Sequence, residues 1–189
     1  MSRRETEIKL AFSSAGEALR AIAGLGAEED HPRTLEDNAI FDMPQGTLAR
    51  TGRLLRLRRY GGESVLTFKG PIAGASRHKV RVEEETRVAD PGGLERILDG
   101  LGYRRAYRYQ KYRTTFRLGT LEIALDETPI GTYVELEGTP DDIDRAAARL
   151  GFAPDAYELA TYRELHERDA AARGVPVGDL LMPRETPPR

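Results

Sequence analysis

Charged and apolar residues alternate with a period of two in segment after segment of this chain, and no other sequence feature narrows the fold as far. In Arg3 to Leu10 the odd positions Glu5, Glu7 and Lys9 share one face of an extended strand, while Thr6, Ile8 and Leu10 share the other. The same alternation sets Arg56 and Arg58 against Leu55 and Leu57, and places Lys69 beside Thr67 in Val65 to Lys69. It sets Arg77, Lys79, Arg81, Glu83 and Glu85 against Val80 and Val82, and Lys111 and Arg113 against Tyr112. It returns with Glu122 and Asp126 against Ile123 and Leu125, and with Glu135 and Glu137 against Val134 and Leu136.

Between these strands the apolar period changes to that of a helix, which makes the pattern α+β with strands dominant. A first helix is expected over Ala15 to Gly24, where Ser14 and Glu17 have capping-box spacing and Ala18, Leu19 and Ile22 form an apolar stripe. Others are expected over Gly93 to Gly100, over Asp141 to Leu150, and over a longer stretch from Asp155 to Ala172. Leu25-Gly26-Ala27, Leu101-Gly102-Tyr103 and Leu150-Gly151-Phe152 repeat one phrase, a helix-ending glycine ahead of a new strand. The repetition hints at a duplicated strand-helix unit.

Alternation usually marks an antiparallel sheet with one solvated face. Two features point elsewhere. Amphipathic helices need an apolar partner, and the apolar strand faces supply it, so helices outside a curved sheet leave the charged faces turned inward. The charges are also sorted, with carboxylates in i, i+2 pairs and bases in separate pairs. A closed barrel with a polar lumen accounts for both and removes exposed strand edges.

Inside such a lumen, Glu5/Glu7, Glu83/Glu85 and Glu135/Glu137 each place two carboxylates roughly 6.5–7 Å apart on one strand face. Converging carboxylates stay ionised only if cations neutralise them, and hard oxygen donors select Mg²⁺ or Mn²⁺. Arginine and lysine cannot ligate a metal but suit a polyphosphate. Acids for metal and bases for phosphate together describe metal-assisted phosphoryl chemistry.

Other classes read poorly. Lys plus Arg total 29 against 31 Asp plus Glu, a net charge of -2, so no global basic field points to DNA or an anionic membrane. The absence of cysteine excludes disulfides and thiolate chemistry. His31 and His78 lack a Ser/Asp context and read as surface or loop residues. No P-loop glycine pattern is present, and paired carboxylates of a glycosidase do not call for a lumen rich in arginine. Tyr103, Tyr107, Tyr109 and Tyr112, interleaved with Arg104, Arg105 and Arg108, could form an RNA-binding stripe, but aromatics at strand spacing read rather as packing. The N-terminus turns acidic before any apolar run, so no signal peptide or membrane anchor is read and the expected address is the cytoplasm.

The ordered series of motifs is similar to the CYTH proteins, also called triphosphate tunnel metalloenzymes. The resemblance rests on Glu5-Thr6-Glu7-Ile8-Lys9, Glu36-Asp37-Asn38-Ala39-Ile40-Phe41-Asp42, Leu54-Leu55-Arg56-Leu57-Arg58 and Leu66-Thr67-Phe68-Lys69-Gly70-Pro71. It continues through Lys79-Val80-Arg81-Val82-Glu83-Glu84-Glu85, Lys111-Tyr112-Arg113, Leu125-Asp126-Glu127-Thr128-Pro129-Ile130-Gly131 and Val134-Glu135-Leu136-Glu137-Gly138. It implies an eight-stranded antiparallel barrel forming a tunnel, with helices packed outside, as one domain over residues 1–182 followed by a disordered tail, 183–189. By position, Glu5, Glu7, Asp126, Glu135 and Glu137 match metal-binding carboxylates, with Glu83 and Glu85 as further candidates. Lys9, Arg56, Arg58, Lys69, Lys79, Arg81, Lys111 and Arg113 match phosphate-binding cations. Glu5, Glu7, Lys9, Asp126, Glu135 and Glu137 are the residues assigned to catalysis.

Members of that family hydrolyse inorganic triphosphate or thiamine triphosphate, or cyclise ATP as class IV adenylate cyclases. The expected activity here is a Mg²⁺- or Mn²⁺-dependent triphosphatase using one or two ions, one fixing the triphosphate with the bases and a second orienting water. A cyclase needs an adenine pocket that the sequence does not display, and the His-Phe pair of one cyclase branch is absent. A triphosphate-binding module without turnover is the third reading. The expected partner is a small-molecule triphosphate, not DNA, a membrane or an RNA 5′-triphosphate; a homodimer stays open. One departure stands out: relatives often read Lys-Ser-Tyr where this chain has Ala160-Thr161-Tyr162, so a phosphate-facing lysine is missing, and helical spacing sets Arg163 on a different face from residue 160. Arg168 is the other candidate substitute.

Overall fold

A computed structural model describes residues 3–74 and 76–183 of the chain. The expected disordered tail therefore lies, after Pro183, outside the described residues. The strands are β1 (Arg3–Phe12), β2 (Glu28–Asp42), β3 (Leu54–Tyr60), β4 (Glu63–Ile72), β5 (Lys79–Arg87), β6 (Arg104–Leu118), β7 (Leu121–Thr128) and β8 (Gly131–Glu137). The helices are α1 (Ala15–Leu25), α2 (Thr47–Arg50), α3 (Pro91–Gly100), α4 (Pro140–Arg149) and α5 (Tyr162–Arg173). The strands close into an antiparallel barrel in the order β1-β5-β4-β3-β2-β6-β7-β8. Closure leaves no edge unpaired along most of the barrel, which removes the usual aggregation hazard of amphipathic strands.

The outward strand faces are apolar and carry the helices. Ile8 and Leu10 of β1, Leu121, Ile123 and Leu125 of β7, and Val134 and Leu136 of β8 pack against Ala18, Ile22 and Leu25 of α1 and against Ile143, Ala146 and Ala147 of α4. Burying each large aliphatic side chain of this layer contributes about 1.5–3 kcal/mol. A second, smaller layer packs Ala39, Phe41 and Leu57 of β2 and β3 on Leu98 of α3. The β4–β5 wall departs from the expected rule: outward Val82 is 37% exposed, so the helix covering that explains the other walls stops short of it.

Local signals set the helix ends. Ser14 accepts the Glu17 backbone N–H at 3.2 Å, and Gly26, in the left-handed region at φ 75°, ends α1 before β2 begins. Gly102 (φ 90°) ends the turn before β6 in the same way, but Gly151 leads into a 3₁₀ turn at Pro154–Ala156 and not into a strand. The long helix expected from Asp155 is accordingly two elements. Glu158 leaves the turn extended and pairs with Lys9, and α5 starts only at Tyr162 behind the full capping box of Thr161 and Glu164. Arg77 likewise lies before β5 and not on its charged face; it pairs with Asp144 of α4 at 2.5 Å. Among the described residues, no helix is long and apolar enough to cross a membrane.

Candidate active site

Inward-facing side chains line a cavity of about 580 Å³ inside the barrel. On one side β1 and β8 run in register with Glu7 opposite Glu137 and Lys9 opposite Glu135. Two carboxylates directly opposite one another repel. Lysines at Glu7 reduce that cost: Lys9 Nζ lies 3.3 Å from Glu7 Oε1 and 3.2 Å from Glu135 Oε1, and Lys79 Nζ donates to Glu7 at 2.9 Å. Lys69 Nζ reaches both oxygens of Glu5 at 2.6 Å and stands 3.3 Å from Glu83.

The protonation balance of these groups follows from who faces whom. Burial works against the Glu7 carboxylate, but Lys9 and Lys79 outweigh it and hold its pKa far below the usual range. Glu135 is treated alike, burial being overcome by Lys9 and Arg113. At Glu5 the sum goes the other way: burial, reinforced by Glu7, pushes its pKa up to about 8 despite Lys69. Lys79 is lowered by burial and by Lys9. The shortage of positive charge on this side of the cavity thus falls on Glu5, while Glu7 and Glu135 are compensated by lysine and arginine. Among the described residues no three carboxylates or imidazoles converge closely enough to hold a metal ion as they stand. The donor set still fits Mg²⁺ or Mn²⁺: its hard oxygens face each other across β1 and β8, and a proton retained on Glu5 marks where further positive charge would be accepted.

Opposite stand the bases. β3 supplies Arg56 and Arg58, β6 supplies Lys111 and Arg113, and β2 lies between them with Asn38 opposite Arg58 and Tyr109. Glu36 of β2 anchors this side, accepting from Arg58 Nη1 at 3.3 Å with Lys111 Nζ 3.6 Å away. Burial opposes its charge, yet Lys111 and Arg113 hold its pKa down to about 2. Arg56 donates weakly to Tyr109 Oη at 3.4 Å and Thr67 Oγ1 at 3.3 Å. The Nε groups of Arg56 and Arg58 are buried without a partner in the protein, donors that an anion would satisfy. Arg81 also lines the cavity, but its Nε bonds the Gly70 carbonyl at 2.9 Å and its Nη2 the Gly52 carbonyl at 3.2 Å, so part of its capacity holds loops. Glu85 joins the bases and not the Glu5 cluster, accepting from Thr67 Oγ1 at 2.6 Å and pairing with Arg58 at 3.5 Å.

One end of the barrel is completed by the C-terminal segment. Glu158 exchanges backbone hydrogen bonds with Lys9 of β1, at 3.0 and 2.9 Å, and Leu180 bonds β6 at Arg108 and Gln110. Between these ties α5 inserts Tyr162 and Leu165 among Tyr107, Tyr109 and Tyr133. Residue 160 precedes the helix, so the helical-face argument about Arg163 does not apply. Ala160 is buried in that aromatic cluster, Arg163 packs over the Tyr107 ring and pairs with Glu167 at 2.9 Å, and Arg168 is engaged by Glu158 at 2.7 Å. Of the two candidate substitutes for the expected lysine, Arg163 lines the cavity and Arg168 does not.

A profile of the CYTH domain matches residues 3–152. The chain belongs to the CYTH domain family. CYTH family enzymes include triphosphatases and class IV adenylate cyclases and in general depend on divalent metal ions. The chain is 27% identical over 179 residues to the adenylate cyclase CyaB of Aeromonas hydrophila, covering 88% of this chain and 90% of that protein. Among solved structures it is similar to the PH1012 protein of Pyrococcus horikoshii, with a TM-score of 0.73, 26% identity and coverage of 85% and 98%. It shares its fold with a Hippeastrum protein named as an adenylyl cyclase in which triphosphatase activity is dominant, with a TM-score of 0.60, 22% identity and coverage of 92% and 97%.

Sequence reasoning missed Glu36 and Asn38 as members of the charged face, although Glu36, Asn38, Ile40 and Asp42 keep the same period of two. Tyr109 entered it only as a packing aromatic and Tyr162 only as the end of Ala160-Thr161-Tyr162, yet both line the cavity. His78 was read as a surface or loop residue and is instead a buried one: its Nε2 lies 2.8 Å from Asp144 Oδ1, which Tyr157 also bonds at 3.0 Å. His31 is exposed as expected. The tyrosine-arginine stripe divides between faces, Tyr107 and Tyr109 pointing inward while the Arg33 guanidinium covers Tyr112 at 3.5 Å outside.

Proposed function

We propose that this CYTH protein is a divalent-metal-dependent hydrolase of triphosphates, cleaving the terminal phosphoanhydride of inorganic tripolyphosphate or of an organic triphosphate. The observation that carries this reading is one cavity that brings Glu5, Glu7, Glu135 and Glu137 of β1 and β8 together with Arg56, Arg58, Lys111 and Arg113 of β3 and β6, the two sets meeting where Arg113 pairs with Glu135. The four carboxylates are the residues that would hold Mg²⁺ or Mn²⁺, with Glu83 beside Glu5. Such an ion, when bound, supplies Lewis-acid polarisation of phosphoryl oxygens and a more acidic water. The guanidinium groups bind phosphate oxygens through their forked donors and fix the chain of phosphates against the base side. Lys9, held between Glu7 and Glu135, keeps a proton at all physiological pH because both carboxylates outweigh its burial, and it remains a fixed positive charge at the seam of the two sides. Burial of the whole array strengthens each of these interactions relative to water.

A second reading, nucleotide cyclisation, is supported by one feature beyond the CyaB similarity. The cavity lining also includes Ile40, Leu48, Leu54 and Tyr107, apolar groups that the sequence did not display as a set and that would suit the organic part of a nucleotide. Phosphate release from tripolyphosphate, thiamine triphosphate and ATP, with Mg²⁺ and with Mn²⁺, measured alongside cyclic AMP, separates the two. Orthophosphate release supports the hydrolase; cyclic AMP without orthophosphate overturns it. Retained tripolyphosphate binding without turnover of any of the three would leave only a binding module.

A further inference from the structure

Asp126 was grouped with the metal carboxylates by its motif position, but its surroundings differ from theirs. Its two oxygens accept from Lys111 Nζ at 2.7 Å, Arg113 Nε at 2.6 Å, Arg113 Nη2 at 2.5 Å and Tyr162 Oη at 2.5 Å. Oδ2 takes three of these donors and Oδ1 one, so most of the roughly four lone-pair sites of a carboxylate are engaged by the protein itself. Its side chain has no exposed surface, and the cavity wall at its level is made by Lys111, Arg113 and Tyr162 in front of it. Glu5, Glu7, Glu135 and Glu137, by contrast, all line the cavity.

The donors bonded to Asp126 come from distant parts of the chain. Lys111 and Arg113 are successive inward residues of β6, while Tyr162 is the first residue of α5, in the segment that closes the end of the barrel between β1 and β6. Lys111 is 1% exposed and held besides by Glu36, and Arg113 turns its other contact to Glu135. A metal ion at Oδ2 would have to displace Lys111, Arg113 and the buried Tyr162 hydroxyl, and one at Oδ1 would meet the Arg113 guanidinium in front of a side chain with no exposed surface.

We propose that Asp126 is a positioning residue: it sets Lys111 and Arg113 for phosphate and ties them through Tyr162 to the C-terminal segment, and it does not hold the metal. This rests on the triphosphate-site reading above, and the experiment separates the two. Full-length wild type, Asp126→Asn, Tyr162→Phe and Glu137→Gln are compared in three measurements: Mn²⁺ binding by electron paramagnetic resonance without substrate, tripolyphosphate binding by calorimetry without metal, and amide exchange over residues 158–165.

In Asp126→Asn, Mn²⁺ affinity stays within about twofold of wild type, while tripolyphosphate affinity falls about tenfold or more, the loss expected when charge-assisted donors are misplaced. Exchange over 158–165 accelerates in both Asp126→Asn and Tyr162→Phe, and Glu137→Gln shows the opposite pattern, losing Mn²⁺ with exchange unchanged. Loss of Mn²⁺ by Asp126→Asn to the same extent as by Glu137→Gln overturns the proposal, as does unchanged exchange in Tyr162→Phe. That variant removes one oxygen and keeps the packed ring, so it remains informative if Asp126→Asn does not fold. A wild type that takes up neither Mn²⁺ nor tripolyphosphate sinks the site reading instead, and the exchange measurement still decides the tie between Asp126 and α5.

Discussion

β1 and β8 lie side by side in the barrel and contribute Glu5, Glu7, Glu135 and Glu137; β3 and β6 flank β2 and contribute Arg56, Arg58, Lys111 and Arg113. The two sides bear comparable loads of charge but handle them differently. On the acidic side like charges meet directly across strands, Glu7 opposite Glu137, and at Glu5 burial, reinforced by Glu7, pushes the pKa up to about 8. On the basic side the cations are spaced by neutral Asn38 and Tyr109 and steadied by Glu36, and two guanidinium Nε groups are left without partners. On the function proposed above, one side would take up cations and the other anions, the two meeting where Arg113 pairs with Glu135. A ligand carrying metal and polyphosphate together would satisfy both, and the separation would give it one orientation.

The sharpest way to break this comparison is on the acidic side. Glu7→Ala removes the carboxylate shared by Lys9 and Lys79, and metal-dependent orthophosphate release should fall about 10²–10³-fold, as for loss of a principal electrostatic element. A variant retaining full activity would end the acidic-side assignment. On the basic side Arg56→Ala should raise KM for tripolyphosphate about 10- to 100-fold with a smaller change in the half-activating Mg²⁺ concentration, since it removes charged donors to phosphate and leaves the carboxylates in place. If the metal requirement moves more than KM, the two sides are not functionally distinct.

Support from outside can be tested separately from charge. Leu136→Ala, in the layer between β8 and the α1–α4 pair, should cost about 2–5 kcal/mol in urea unfolding while leaving KM of the folded fraction unchanged. The smallest effect concerns pH. Because the pKa of Glu5 is raised on folding, its contribution is complete below the unfolded value of 4.5 and is lost as pH rises toward about 8. Metal-free wild type should therefore lose stability over that window, and Glu5→Gln should flatten that part of the profile. An unchanged slope in Glu5→Gln would show that Glu5 is not the group that retains the proton.

Much of the fold could be read locally. The parity of Glu5, Glu7 and Lys9, of Arg56 and Arg58, of Lys111 and Arg113 and of Glu135 and Glu137 correctly gave the inward face, because a strand sends alternate side chains to opposite sides wherever it lies. Ser14 and Gly26 marked the ends of α1 for an equally local reason. The segment after Pro154 was less legible, since Glu158 is held extended by the edge of β1, a partner well over a hundred residues away, and no local period records that pairing.

The sequence by itself thus determined which residues face inward and which chemistry their types permit, for backbone geometry fixes alternation within a few residues. Only the tertiary structure decided who meets whom. It set Glu7 against Glu137, brought Glu36 beneath Lys111, drew Glu85 to the arginines and engaged Asp126 from β6 and α5. Those partnerships depend on the order and register in which distant strands close the barrel, and they turn a set of inward charges into a site with an acidic side, a basic side and a closed end.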